Sequence, residues 1–211
     1  MDRLIAILGL SILIASCQST TPTAVASPSP SPTPHSAPTE AVLQSSEVPT
    51  GLSPCLGSGP IDVYITTIAN ADANVAARLA NQWEELRAAG ASTGAISLFT
   101  STPAACNAEL ATTSSAKSMT AFVAEFTDSG QADRAWDTGV FGFIPPSPGE
   151  LPSGVTRGTG TGLGLSSWTY DRPPVRLASW HKSVFVALVV ASNLDVATFK
   201  AATAAVDARL N

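Results

Sequence analysis

The sequence predicts an α+β domain between residues 55 and 211, in which an antiparallel sheet has helices packed on one face. Three observations predict this class. The apolar residues of the region switch repeatedly between the strand period and the helical period. Three strand patterns follow one another near the C-terminus with only short turns between them, as antiparallel neighbours do. An amphipathic helix pattern then closes the chain.

The first half of the region predicts a strand, a helix, a short apolar stretch and a further strand. Weakly alternating apolar residues predict a short strand at 61–68. Asp72 or Asn70 then begins a helix that Gly90 ends. Its apolar residues recur at spacings of four, four and three and form one stripe: Val75, Leu79, Trp83 and Leu86. A short apolar stretch follows at 95–99, and the apolar run at 119–126 predicts a buried strand.

The second half predicts the core of the sheet. Asp128 and Gln131 resemble a capping box for a short helix that Gly139 ends. A Pro- and Gly-rich loop follows at 141–154. Strands are predicted at 160–170, 175–180 and 184–191, and Asp195 begins the terminal helix with Leu194 and Phe199 as a hydrophobic staple. The order β-α-β-β-β-α, preceded by an N-terminal helix, favours a single α+β domain.

The N-terminus carries a short charged segment and an apolar run at 4–15, followed by Ile14-Ala15-Ser16-Cys17. The run is too short to span a bilayer, which takes about 20 residues, and it has the outline of a secretory signal. An aliphatic residue, two small residues and a cysteine in this order resemble the lipobox of bacterial lipoproteins. The resemblance implies that residues 1–16 are removed and that Cys17 is acylated, with a membrane anchor through the N-terminal lipid.

The three cysteines then divide into one lipid anchor and one pair. Cys55 and Cys106 remain as an even pair in an oxidising compartment, which predicts a disulfide. Closing a loop of about 50 residues stabilises a fold by about 4 kcal/mol in the chain-entropy account.

Residues 17–54 predict a disordered tether. From residue 18 to residue 54 the chain has 14 Ser or Thr, 8 Pro and no aromatic residue. Such a composition buries too little apolar surface to offset the loss of chain entropy. His35 has no partner pattern and is interpreted as solvated.

Composition excludes several functions. The net charge is -5, with 16 acidic and 11 basic residues, so a nucleic-acid partner is not expected. One histidine beyond the tether and two remaining cysteines exclude a His-rich metal site and a multi-cysteine cluster. The sequence predicts no cofactor and no metal.

Glycines occupy every second position from Gly158 to Gly164. A phosphate loop fails on spacing, because GxGxxG would need glycine at Leu163 or Leu165, and no Gly-Lys-Ser/Thr follows. In a strand the glycines share one face. Either a helix packs closely on this face or the chain bends there, or a ligand groove opens.

Aromatic and basic residues follow the glycines. Trp168 and Tyr170 continue the same predicted face, and Trp180 lies across the Pro173-Pro174 turn. Aromatic rings beside arginines suit a sugar ring or a small anion, whereas sheet packing and solvated turn charges explain the same residues. The candidate ligand-binding residues are Gly160, Gly162, Trp168, Tyr170, Arg172, Arg176, Trp180 and His181, within a basic cluster that also holds Arg157 and Lys182.

Catalysis has little support in the pattern. His181 is the one base available to a serine nucleophile, and GxSxG fails at Ser166. The acidic pairs at 84–85 and at 133 and 137 fall on polar helix faces, so no catalytic residue is predicted.

The sequence therefore predicts a surface-anchored bacterial lipoprotein of the cell envelope, on the outer face of the plasma membrane or in an outer membrane. Its non-catalytic domain is expected to bind a small molecule, a glycan or an envelope protein. The alternatives are an envelope hydrolase with an unrecognised site and an accessory subunit of an envelope complex.

Overall fold

The computed structural model describes residues 36–210. The helices are α1 (Pro38–Ala41), α2 (Ile61–Ala69), α3 (Ala73–Ala88), α4 (Ser129–Thr138) and α5 (Val196–Asp207). The strands are β1 (Ser53–Pro54), β2 (Gly59–Pro60), β3 (Ala91–Thr100), β4 (Ser118–Phe126), β5 (Val155–Arg157), β6 (Ser167–Arg172), β7 (Val175–Lys182) and β8 (Phe185–Ser192). None of the helices in this part of the chain is long and apolar enough to cross a membrane.

The strands form one antiparallel sheet in the order β1-β3-β4-β8-β7-β6-β5, and β2 also pairs with β3. The α+β class is thus confirmed. Strands β4 and β8 lie at the centre, where nearly every residue is buried on both faces. Both strands contain continuous apolar runs in the sequence. Burial on both faces is the physical cause of this pattern.

Helices cover both faces of the sheet, which corrects the expectation of one covered face. Alternate residues of β4 contribute to two separate cores: Phe122 packs with α2, α3 and α4, whereas Val123 packs with α1 and α5. We call the first the covered face and the second the α5 face. A sheet whose central strands are apolar on both sides needs helices on both sides.

Residues 61–68 form helix α2 and not the predicted strand. Ile61, Tyr64 and Ile68 are buried on the covered face, whereas Val63 is 49% exposed. The buried spacing of three and four is helical. Weak alternation over so short a segment fits both periods, and packing against α3 decides between them.

The tether boundary predicted at Cys55 lies inside the folded region. Ala41, Val42 and Leu43 are buried in the core of the α5 face. The Arg209 guanidinium donates hydrogen bonds to the carbonyl oxygens of Ala41 and Val42, at 3.2 and 3.0 Å, and also binds Glu47. Residues 38–54 are therefore part of the domain, because three adjacent apolar side chains and a partly buried arginine hold a segment whose overall composition resembles a linker.

The three predicted capping residues begin their helices. The side chain of Asp72 accepts from the backbone N–H groups of Asn74 and Val75 at α3. Asp128 accepts from Gln131 at α4, and Asp195 accepts from Thr198 at α5. A carboxylate at this position satisfies donors that the helix itself leaves unpaired.

The glycine segment is a folded loop and not the predicted strand. Residues 158–161 form one 3-10 turn, and β6 begins only at Ser167. Gly158, Gly162 and Gly164 have φ angles of 70, 80 and 103°, a region that side chains other than glycine seldom adopt. Backbone conformation, and not a shared strand face, explains the repeated glycines.

The disulfide between Cys55 and Cys106 is present, with the Cα atoms 5.5 Å apart. It joins the segment after β1 to the 3-10 turn at 103–107. The predicted signal at 1–16, the lipid attachment at Cys17 and the solvated His35 lie outside the described residues.

Candidate functional site

The glycine loop forms one wall of a cavity of about 350 Å³ between β5, β6 and α5, which we call the α5 cavity. Gly160 and Gly162, two of the predicted ligand-binding residues, line it. A Cβ atom on Gly162 would meet nothing within 4 Å, so open space lies above the backbone there. The positive φ angles at Gly158, Gly162 and Gly164 agree with a bend of the chain, and Gly162 in addition borders the cavity.

The α5 cavity exists because the helix layer on this face stops before the sheet does. Helix α1 packs on β3 and β4, and α5 packs mainly on β7 and β8. Strands β5 and β6 extend beyond them, and the 3-10 turn at 158–161 contacts these two strands. A loop of small residues thus covers the last two strands incompletely.

Ser167 holds the glycine loop in place. This residue is fully buried at the start of β6. Its hydroxyl donates to the carbonyl oxygen of Gly164 at 2.6 Å and lies 2.6 Å from the Thr161 hydroxyl, which in turn accepts from the Leu163 N–H at 3.0 Å. The wall of the cavity is therefore fixed by hydroxyl contacts, because its glycines have no side chains with which to pack.

Polar groups of the cavity come from neighbouring strands and from α5. Thr156 and Thr169 are directly opposite each other on β5 and β6. Within residues 36–210 neither hydroxyl takes part in a hydrogen bond, so both are available to a ligand. Asp171 follows on the same face of β6, and Lys200 projects from the exposed side of α5.

The floor of the cavity is apolar. Phe199 is 3% exposed and belongs to the core of the α5 face, and Leu163 packs against the same core. Ala204 is exposed at the rim. An apolar floor with a few polar groups at the walls is the usual composition of a small-molecule site, and about 300–1,000 Å³ is the usual volume.

The sheet separates the other predicted site residues. Trp168 and Tyr170 lie on the covered face, because their neighbours Thr169 and Asp171 point to the α5 face. Trp180 is fully buried in the core of the α5 face, and His181 next to it points to the opposite side. Trp168 and Trp180 are both core residues, so these two rings do not form a platform together.

Most residues of the predicted basic cluster lie beside a carboxylate. Arg176 lies 2.7 Å from the Asp171 carboxylate, and Lys182 lies 3.1 Å from that of Asp207. Arg157 lies 3.6 Å from the Asp137 carboxylate, and His181 lies 3.4 Å from that of Asp133. The Arg172 guanidinium donates to the Ser153 hydroxyl. Arg176 also donates to the Leu194 carbonyl from a side chain that is 11% exposed. These contacts stabilise the edge of the sheet, although the partner of Arg172 at the turn is a neutral hydroxyl.

His181 lies near a serine and an aspartate, an arrangement that resembles a catalytic triad. Its Nε2 is 3.3 Å from the Ser129 hydroxyl, and its Nδ1 is 3.4 Å from the Asp133 carboxylate. The same Nε2, however, lies 2.7 Å from the Ser183 carbonyl oxygen. A carbonyl only accepts, so Nε2 carries the proton and cannot take one from Ser129. These contacts tie α4 to the turn between β7 and β8.

Two smaller cavities, each of about 280 Å³, lie on the covered side. One separates α3 from α4 and is lined by Leu86, Phe141 and Ile144. The other adjoins the disulfide and Tyr64. Burial raises the pKa of Tyr64 to about 12, so its phenol stays neutral. Neither contains residues that the sequence singled out for a ligand. No group of three potential metal ligands occurs in the described part of the chain.

Sequence reasoning missed Thr156, Thr169, Asp171 and Lys200. No local signal marks them, because their proximity depends on strand register and on where α5 crosses the sheet. The result is a small cavity with polar walls and an apolar floor.

No family model, no curated protein and no solved structure matches this chain.

Proposed function

We propose that this protein is a lipid-anchored envelope protein whose domain binds a small polar molecule or a sugar unit in the α5 cavity. The observation that carries the proposal is the pair of unpartnered hydroxyls, Thr156 and Thr169, beside the open backbone of Gly162. Bare backbone lets a ligand approach closely, and free hydroxyls replace the hydrogen bonds that a polar ligand loses on leaving water.

The N-terminal sequence supports the location. Ile14-Ala15-Ser16-Cys17 resembles a lipobox, and two or three acyl chains give stable membrane anchoring. The disulfide on the domain is typical of chains exported to an oxidising compartment. A Cys17→Ala variant should be released from the membrane fraction or retain an uncleaved signal peptide. Unchanged mass and unchanged membrane retention would overturn the anchor.

Thermal shift of the purified full chain against a panel of monosaccharides and hydroxy acids tests the binding proposal. A ligand at 100 times its Kd adds about 2.7 kcal/mol to the free energy of unfolding. The blocking variant is Ala204→Phe, which fills the cavity from an exposed helix position. Ala201→Phe is the matched control, because Ala201 is also exposed on α5 and does not line the cavity.

We expect a stabilising ligand for the natural chain and for Ala201→Phe, and none for Ala204→Phe. Two results would overturn the proposal: no compound in the panel shifts the transition, or Ala204→Phe binds as tightly as the natural chain. Crosslinking on intact cells that recovers one envelope protein, with no shift by any compound, would favour the accessory-subunit alternative.

A further inference from the structure

The electrostatics of the α5 cavity restrict the ligand further. Two charged residues line it, Asp171 and Lys200. Asp171 accepts a hydrogen bond of 2.7 Å from Arg176, so its charge is compensated inside the protein. None of the ion pairs within residues 36–210 involves Lys200. The cavity therefore carries one uncompensated positive charge, in a protein whose net charge is -5.

The free hydroxyls lie on the opposite wall. Thr156 and Thr169 are cross-strand partners, and side chains in this relation are about 4.5–5.5 Å apart at Cβ. Each hydroxyl donates one proton and accepts at its lone pairs. Two neighbouring groups of this kind match adjacent hydroxyls of a sugar ring, which also donate and accept.

We propose that the ligand is a small polyhydroxylated carboxylate, such as a sugar acid. Its carboxylate binds the Lys200 ammonium, and its hydroxyls bind Thr156 and Thr169. This inference rests on the proposed function and names the ligand of the same site. A single ammonium matches the single charge of a carboxylate, whereas a doubly charged phosphate is usually held by several donors or by an arginine fork.

Calorimetric titration of the full chain with glucuronate and glucose tests the inference, because the two sugars differ only at C6, where one carries a carboxylate. We expect glucuronate to bind at least about tenfold more tightly, as a charge-assisted hydrogen bond predicts. Methyl glucuronide is the third probe, and it mimics a residue linked within a glycan. Its binding distinguishes a chain-linked source of the ligand from a free sugar acid.

Three variants separate the contributions. Lys200→Gln should lower the affinity for glucuronate to that for glucose and leave the affinity for glucose unchanged. Thr169→Val should weaken both ligands by the same factor, because it removes a hydroxyl contact that both ligands make. Lys117→Gln is the control: Lys117 is exposed and lies outside the α5 cavity, so its loss should change neither affinity.

The outcomes distinguish the inference from the proposed function. Equal binding of glucuronate and glucose, or glucuronate affinity unchanged in Lys200→Gln, overturns the inference while a sugar site remains. Binding of neither sugar nor methyl glucuronide overturns the sugar-acid inference. If the wider compound panel also gives no shift, the proposed function fails with it.

Discussion

The two faces of the sheet differ in how completely they are covered, and this difference locates the site. On the covered face, Gly94 faces the Trp83 ring so closely that a Cβ atom would lie 2.9 Å from it. On the α5 face, a Cβ atom on Gly162 would meet nothing within 4 Å. Gly94 on the covered face makes room for packing, whereas Gly162 on the α5 face borders open space.

Coverage differs because the helices are distributed unequally along the strands. Helices α2, α3 and α4 bring aromatic side chains onto the covered face, where Phe122 contacts Trp83 and Phe141 edge to face. The α5 face has the short α1 and the long helix α5. These helices do not cover β5 and β6, which a loop covers instead. The molecule thus combines a face covered by three helices with a face whose edge at β5 and β6 is covered by a loop.

Replacing the centre of the covered face should have the largest effect. Phe122→Ala removes a fully buried ring, and such changes cost about 3–5 kcal/mol. Thr156→Ala on the cavity wall should change the free energy of unfolding by less than about 0.5 kcal/mol. Urea denaturation of both variants measures the contrast, and similar midpoints would mean that the two faces are equally packed.

Breaking the disulfide should have the second largest effect. Cys55 belongs to the core of the covered face and is 6% exposed. The bond closes a sequence separation of 51 residues, and losing a native disulfide costs about 2–5 kcal/mol. A Cys55→Ser and Cys106→Ser double variant should therefore unfold at lower urea concentration. An unchanged midpoint would show that the remaining core holds this face without the bond.

Releasing the glycine loop should have a smaller effect on stability. Ser167→Ala removes the buried hydroxyl that holds the loop, and one hydrogen bond contributes about 1 kcal/mol. Amide hydrogen exchange across residues 158–164 should become faster, and any ligand of the α5 cavity should bind less tightly. Ser166→Ala is the matched control, because the Ser166 hydroxyl donates to Asp133 on the opposite face. Equal exchange in both variants would exclude the proposed anchor.

The smallest effect concerns the segment that connects α1 to β1. The hydrogen bond from Arg209 lowers the pKa of Glu47 below its ordinary value of 4.5. A folded pKa lowered in this way stabilises the fold above pH 4.5, and the stabilisation is lost as the pH falls through the folded pKa.

Glu47→Gln should therefore weaken the dependence of stability on pH below 4.5. Partly exposed ion pairs contribute at most about 1 kcal/mol, so the change is small. Urea midpoints at pH 7 and pH 3.5 measure it for both chains. Parallel loss of stability in the two chains would mean that Glu47 does not hold this segment on the domain.

Local signals predicted the elements that are determined by contacts between residues close in the sequence. The three capping aspartates bind backbone groups two or three residues away, so sequence proximity suffices to find them. Strands β7 and β8 are separated by a tight turn, and their pairing follows from adjacency. The disulfide followed from cysteine number and compartment.

The elements that the sequence missed depend on distant partners. Alternation at 61–68 suited a strand, but α2 forms because it packs against α3. Residues 38–47 have the composition of a linker, but Arg209, about 160 positions away, binds their carbonyl and carboxylate groups. The sequence predicted the alternation of side chains along β6. Residues 158–164 form a loop and not part of that strand, so their glycines do not continue the face of Trp168 and Tyr170.

By itself, the sequence determined the α+β class, the central strands, the starts of α3, α4 and α5 and the cysteine pair, because hydrophobic period, capping and cysteine number act over a few residues. Only the tertiary structure decided that both faces are covered, that α5 stops short of β5 and β6, and that Thr156, Thr169, Asp171 and Lys200 surround one cavity. The physical reason is that a binding site depends on strand register and helix position, which long-range packing sets.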